Sequence, residues 1–287
     1  MGSSFHINVV ESDQAFLDTL KFRVASLEKL WSRFIETSEI NLLNSSSGSP
    51  VLVSKETVLL VNEMIRANRA TRGAYNPTLL PALISVGYNK SLVSAAEQPR
   101  LTEFKIAGGS LNDIEINGEF VQLPASMTLD PGGIGKGLAA DLVSADIRSA
   151  GYDNFFVNAG GDLFADGHSP DGDAWVIGIE NPFDIKQNVD EISFKKAGVA
   201  TSSSLKKVFD EESHLLNPDS LSGKQSDIAT CTVISGSATR SEVMAKVPFF
   251  HGLESSINFF AENKCEALIV LKDQSIVKTS GWDKYSC

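Results

Sequence analysis

The sequence predicts an α+β fold, antiparallel sheets with packed helices, from three observations. Amphipathic helices and short β-rich segments are mixed without a strict strand-helix-strand repeat. Between Ile106 and Leu123, Asn117-Gly118 separates two alternating stretches, the signal of a hairpin. No internal repeat or long linker interrupts the chain, so one domain with two lobes fits its 287 residues, a length that would also permit two domains.

The elements follow in order. Phe5 to Val10 alternates and reads as a strand. Phe16, Leu17, Leu20, Val24, Leu27, Leu30, Trp31 and Phe34 then recur at steps of three and four, one face of a long helix. Ser45 to Pro50 is a Ser/Gly turn cluster, Val51 to Val53 a short strand and Lys55 to about Arg69 a second amphipathic helix, broken by Gly73 through Pro77. Leu79 to Val86 is apolar enough for a buried helix, and Met127 to Leu129 reads as a strand end. That strand runs into Asp130-Pro131-Gly132-Gly133-Ile134-Gly135-Lys136-Gly137, and a helix follows from Leu138 to Ala150. Asn154 to Val157, Trp175 to Ile179 and Ile192 to Phe194 are further strands, with Gly160-Gly161-Asp162 turning between the first two. Ala229 to Ile234 is β-rich, Ser241 to Glu262 largely helical and Ala267 to Leu271 a last core strand.

A hydrophobic content of 42% and a charged content of 21% belong to a globular protein, which excludes bulk disorder. The net charge of −11 argues against a nonspecific grip on nucleic acid, which needs clustered Lys and Arg. Cys231, Cys265 and Cys287 are widely spaced and form no CxxC pair, so neither a disulfide scaffold nor a zinc site is expected. No apolar run approaches the roughly 20 residues of a membrane span, and no charged-then-apolar leader opens the chain.

The glycine-rich turn is the strongest local signal. Backbone N–H groups at Gly132, Gly133, Gly135 and Gly137 can approach a phosphate at the start of a helix, with Lys136 adding positive charge. The spacing is neither GxxxxGK[ST] nor GxGxxG, and a tight turn without a ligand reads equally well. His214 precedes a proline-defined turn, where a ligand contact and a structural histidine are both open. Tyr75, in the Gly-Ala-Tyr-Asn-Pro break, either stacks on a ring system or fills core. Glu242 and Lys246 stand four apart, a spacing that suits a solvated ion pair or the binding of a metal and a phosphate.

Together these segments resemble the ApbE-like flavin transferase family. The match begins at Met1-Gly2-Ser3-Ser4-Phe5 and continues through Trp31-Ser32-Arg33-Phe34, with Ser38-Glu39-Ile40-Asn41-Leu42-Leu43-Asn44. Gly73 to Thr78, Asp130 to Asp141, Asn158 to Asp162, Gly198 to Ser202, His214 to Pro218 and the Glu242 helix follow in family order. The resemblance implies a single ApbE-like, T-fold-like domain over residues 1–287, whose opening strand brings Met1 into the site.

The activity implied is that of an FAD:protein FMN transferase, which moves FMN from FAD onto a Thr or Ser hydroxyl of a target flavoprotein and releases AMP. An FAD pyrophosphatase releasing FMN and AMP, or a non-catalytic FAD-binding protein, are the alternatives. By resemblance, Phe34 and Ala74-Tyr75-Asn76 are similar to flavin or adenine contacts, and Lys136 and Leu216 match positions lining FAD. Asp130 belongs with these cofactor-binding positions, Asp162 resembles a residue organising the same pocket, and His214 matches the histidine beside the diphosphate. His214, Glu242 and Lys246 are the candidate catalytic residues.

The family commonly offers Mg2+ an Asp and a Thr four residues apart, together with a backbone carbonyl at the position of Ala139. Here the side chains are Glu242 and Lys246. Glu242 can bind a hard cation, but a protonated Lys246 has no lone pair to donate, which leaves the metal count open. Asn217 replaces a usual acidic residue before Pro218. The expected partners are FAD and the target flavoprotein, and the absence of a lipobox cysteine near the start goes with a cytoplasmic location.

Overall fold

A computed structural model describes residues 4–85, 110–205, 208–209, 212–213 and 226–287. In chain order its elements are β1 (Phe5–Val9), α1 (Gln14–Trp31), α2 (Glu39–Ser45), β2 (Val51–Leu52), α3 (Lys55–Ala70), α4 (Leu80–Ser85), β3 (Glu115–Asn117), β4 (Phe120–Gln122) and α5 (Gly135–Ser149). There follow β5 (Phe155–Ala159), β6 (Asp162–Asp166), β7 (Trp175–Asn181), β8 (Asp184–Phe194), β9 (Ala197–Ser203), β10 (Val208–Phe209), β11 (Glu212–Ser213) and β12 (Ile228–Ser235). The chain closes with α6 (Ala238–Met244), α7 (Val247–His251), α8 (Leu253–Glu262), β13 (Glu266–Leu271) and β14 (Ile276–Lys278). Two compact units result. Of the described residues, 24–85, 110–135, 208–209 and 212–213 belong to the first, and 4–23, 136–205 and 226–287 to the second.

The second unit is built on a seven-stranded sheet in the order β1-β5-β6-β9-β12-β13-β14. Every neighbouring pair in it is antiparallel, so the α+β expectation holds. All eight residues of β12 are buried, Thr230, Thr232 and Ser235 among them, so both faces of this strand are covered. One buried cluster joins Leu163, Val199, Ile234 and Val270 to Trp175, Ile192 and Phe194 of the β7–β8 hairpin. The removal of such large side chains from water is the dominant favourable term, about 1.5–3 kcal/mol for each aliphatic or Phe side chain fully buried.

Three strands that sequence periodicity does not show, β6, β9 and β14, complete this sheet. The segment from Ser241 to Glu262 is largely helical as expected, divided among three short helices. Pro248 sits in the first turn of α7, and Gly252, at φ 80°, separates α7 from α8 in a conformation that other residues rarely adopt.

The first unit carries α2 to α4 and the small sheet β2-β4-β3. The hairpin expected at Asn117-Gly118 forms one residue later. Asn117 pairs with Phe120, so the two loop residues are Gly118 and Glu119, with Gly118 at φ 62°. A positive φ at the first loop position alone is the pattern of a II′ turn, which selects glycine there. Helix α3 starts at Ser54, whose hydroxyl accepts from the Thr57 amide at 3.3 Å and donates to Glu39 at 2.7 Å.

Among the described residues the expected strand end at Met127 to Leu129 has no strand partner. Its place is taken by Asn44 of α2, whose Oδ1 accepts from the Leu129 amide at 2.7 Å and whose Nδ2 donates to the Leu129 carbonyl at 2.9 Å. One side chain thus supplies both hydrogen bonds that a neighbouring strand would have made. Asn44→Ala is expected to cost about 3 kcal/mol in urea unfolding, because it strands a buried donor and a buried acceptor together. A loss below about 1 kcal/mol would show that water replaces the amide at no cost.

Candidate active site

In the first unit, α1 ends at Trp31, earlier than the apolar periodicity suggested, and Arg33 and Phe34 lie in the turn that follows. Asn41 of α2 fixes this turn by donating from Nδ2 to the carbonyls of Arg33 and Ile35, both at 2.8 Å. Arg33 is 3% exposed, its guanidinium carbon is 4.5 Å from the centroid of the Phe34 ring, and its Nε is 3.6 Å from Asp130 Oδ1. Asp130 is itself 7% exposed, and its amide donates to the Pro77 carbonyl at 2.8 Å.

The glycine turn closes over that carboxylate. A Cβ on Gly132 would stand 2.7 Å from Asp130 Oδ2, and Gly133 has φ 83°. Gly133 therefore needs glycine for its conformation, and a side chain at Gly132 would have to displace the Asp130 carboxylate. Ala74 and Tyr75 are buried, with the Tyr75 amide donating to Thr71 Oγ1 and its carbonyl accepting from Asn68. Asn76 caps its own turn, accepting from the amide and hydroxyl of Thr78.

The second unit gathers four of the predicted site residues. Lys136, in the first turn of α5, donates to the Asp162 carboxylate and stands 3.9 Å from Glu242 Oε1. Glu242 Oε2 accepts from the Gly137 amide at 2.7 Å. Lys246 folds back across the end of α6 and donates from Nζ to the Glu242 backbone carbonyl at 2.7 Å. The pair four apart is thus neither solvated nor a simple ion pair, since Glu242 is 3% exposed and the ammonium takes its carbonyl. Ala139 is fully buried within α5.

Burial raises the Glu242 carboxyl above the ordinary range, and the nearby Asp162 charge raises it further. Lys136, Lys246 and the Gly137 N–H oppose that rise. A carboxyl tuned upward beside two ammonium groups is suited to taking a proton from a hydroxyl near neutral pH.

Glycines and an acidic cap hold this cluster in place. Asp141 of α5 accepts from the amides of Ala238 and Thr239, both at 2.9 Å, and so caps α6 from outside it. A Cβ at Gly137 would lie 2.7 Å from the Ala238 carbonyl, and one at Gly198 would lie 2.1 Å from the Ser237 carbonyl carbon. The start of α6 therefore rests directly on the backbone of α5 and β9. Ser241 adds a hydroxyl hydrogen bond to the Gly198 carbonyl at 2.9 Å.

Among the described residues the side-chain donors do not form a dedicated all-protein magnesium cage. Magnesium takes six oxygen ligands at about 2.0–2.1 Å, with carboxylates bearing its charge. Among the described residues no three His, Cys, Asp or Glu side chains cluster as metal ligands. The two carboxylates present, Asp162 and Glu242, already face the ammonium groups of Lys136 and Lys246. Met1, His214, Leu216 and Asn217 lie outside the described residues.

Arg33 and Asp141 have no assigned role in the sequence reading. A signal for Arg33 was available, because a charged residue between Trp31 and Phe34 at an apolar helix end calls for a buried partner.

The model of the ApbE family matches residues 1–269. The FAD:protein FMN transferase of Vibrio cholerae is 26% identical over 95% of this chain and 85% of its own length. That of Haemophilus influenzae is 21% identical, over 95% and 84%. Among solved structures, the flavin transferase ApbE from Vibrio cholerae superposes with a TM-score of 0.83 at 23% identity, covering 99% of this chain and 96% of its own. The ApbE protein from Thermotoga maritima gives 0.85 at 22% identity, covering 100% and 96%. At these identities the structures establish the fold. Among the described residues no helix is long and apolar enough to cross a membrane.

Proposed function

Because the chain belongs to the ApbE family, we propose that it is a transferase that moves FMN from FAD onto a hydroxyl of a protein. The observation that carries this reading is the cluster of Lys136, Asp162, Glu242 and Lys246, residues from three separate stretches of the sequence that resemblance assigned to one site. In the reaction a Thr or Ser oxygen attacks the FMN-side phosphorus of FAD. The bond from that phosphorus to the bridging oxygen breaks, AMP leaves with the bridging oxygen, and the hydroxyl proton passes to a base.

Glu242 is the base favoured by its raised pKa, and the ammonium groups of Lys136 and Lys246 offset charge gathering on the phosphoryl oxygens. Phe34, Ala74, Tyr75 and Asn76 are proposed to hold the nucleotide in the first unit, and Asp130, which the resemblance places with them, to lie against the glycine turn without touching the nucleotide. Met1, His214 and Leu216 keep the roles that the family resemblance implies. Incubating the protein with FAD and a Thr-bearing flavoprotein target tests the reading: covalent fluorescent flavin on the target supports it. Free FMN alone would mean hydrolysis, and intact FAD would mean binding without turnover.

Magnesium binds this site weakly or elsewhere on the same reading, since Lys246 brings its own positive charge to the Glu242 carbonyl. Lys246→Thr removes that charge, and the variant is expected to need at least about tenfold more or less magnesium for half-maximal turnover than the parent. An unchanged magnesium optimum in the variant would sink the idea.

A further inference from the structure

Asp130 presents a difficulty for any anion bound at the glycine turn. Its carboxylate lies directly beneath Gly132, close enough that a single added Cβ would touch Oδ2 at 2.7 Å. An ionised carboxylate in that position repels a phosphate. Arg33 stands on its other side, buried to the same degree, with Nε 3.6 Å from Oδ1.

We propose that Arg33 is a positioning residue whose guanidinium neutralises Asp130 and thereby lets the turn accept the diphosphate of FAD. The proposal rests on the flavin-transfer reading and adds to it a residue that acts on the turn through Asp130. Three features support it. The guanidinium is held on both sides, by the Asp130 carboxylate and by the face of the half-buried Phe34 ring. Its backbone is fixed independently, by Asn41. Both charged side chains are nearly inaccessible to water, where the loss of one partner leaves the other charge uncompensated.

The test compares Arg33→Met, the double variant Arg33→Met/Asp130→Asn and the parent, by titrating each with FAD, ADP and riboflavin and recording its melting temperature. Arg33→Met is expected to bind FAD and ADP about tenfold more weakly, with riboflavin less affected, because the unpaired carboxylate acts on the phosphates. The double variant restores both affinities to within about threefold of the parent, since no net charge then lies under the turn. Unchanged FAD affinity in Arg33→Met, or a double variant as weak as the single one, overturns the proposal. If Arg33→Met does not fold, the double variant decides alone, and a loss of FAD affinity beyond tenfold in it overturns the proposal. A parent protein that ignores FAD altogether defeats the flavin-transfer reading instead, and is recognised before any variant is made.

Discussion

Glu242→Gln is expected to lower flavin transfer about a hundredfold or more while leaving the protein at least as stable as its parent. The two effects have one cause. Burial and the Asp162 charge disfavour the ionised form of Glu242, so its carboxylate is a cost to the fold that the reaction makes use of. Glutamine keeps an oxygen for the Gly137 amide and leaves the Lys136–Asp162 pair intact, but it cannot take a proton.

The sign of the pH dependence follows from the direction of the shift. A carboxyl whose folded pKa is raised contributes stability that is fully present below the unfolded value of 4.5, and loses it as pH rises through the folded value. Relative to the parent, the Gln variant therefore gains stability as pH rises from 4.5 toward neutrality. Thermal melts of both proteins across that window, beside a flavin-transfer assay, measure both effects. A variant that melts lower at neutral pH, or that retains more than a tenth of the activity, removes Glu242 from the role of base.

Gly198→Ala is expected to destabilise the second unit by about 3 kcal/mol or more, a fall of about 10 °C in its melting temperature. The added methyl would sit 2.1 Å from the Ser237 carbonyl carbon, 2.3 Å from its oxygen and 2.5 Å from the Ala238 nitrogen. These are backbone atoms, so no rotamer change relieves the overlap, and relief requires α6 to move off β9. Gly236→Ala is the control, because a Cβ there meets nothing within 4 Å. A Gly198 variant that melts within 2 °C of the parent would mean that the start of α6 yields easily.

That crowding also explains why β9 escapes a reading of the sequence. Ala197 to Ser203 is small and polar, with little of the branched and aromatic character that marks strands. Its residues are small because a neighbouring backbone lies against them, a fact of tertiary structure that periodicity does not carry. Asp162 to Asp166 is short and flanked by charge, and Ile276 to Lys278 is an edge of three residues. The long elements were legible for the opposite reason. Helices α1 and α3 repeat their apolar faces over four turns or more, and buried β12 has a β-rich sequence of its own.

The site divides in the same way. Gly133 announces itself, since its positive φ favours glycine over any other residue. The approach of Lys136 to Asp162 and Glu242 is beyond spacing arguments. Only the order of family motifs suggested it, because contacts over such separations are set by how sheet and helices pack. The break of the Ser241 to Glu262 segment, by contrast, was signalled by Pro248 and Gly252.

Helix α2 has only seven residues, yet its Asn41 grips the loop bearing Arg33 and its Asn44 grips the chain just ahead of Asp130. The two amides project from neighbouring points of one short rod, so the distance between a cation and an anion far apart in sequence is gauged by three helical steps. One residue inserted between them turns the second amide by about 100° around the axis. The rod works as a ruler whose divisions do not shift.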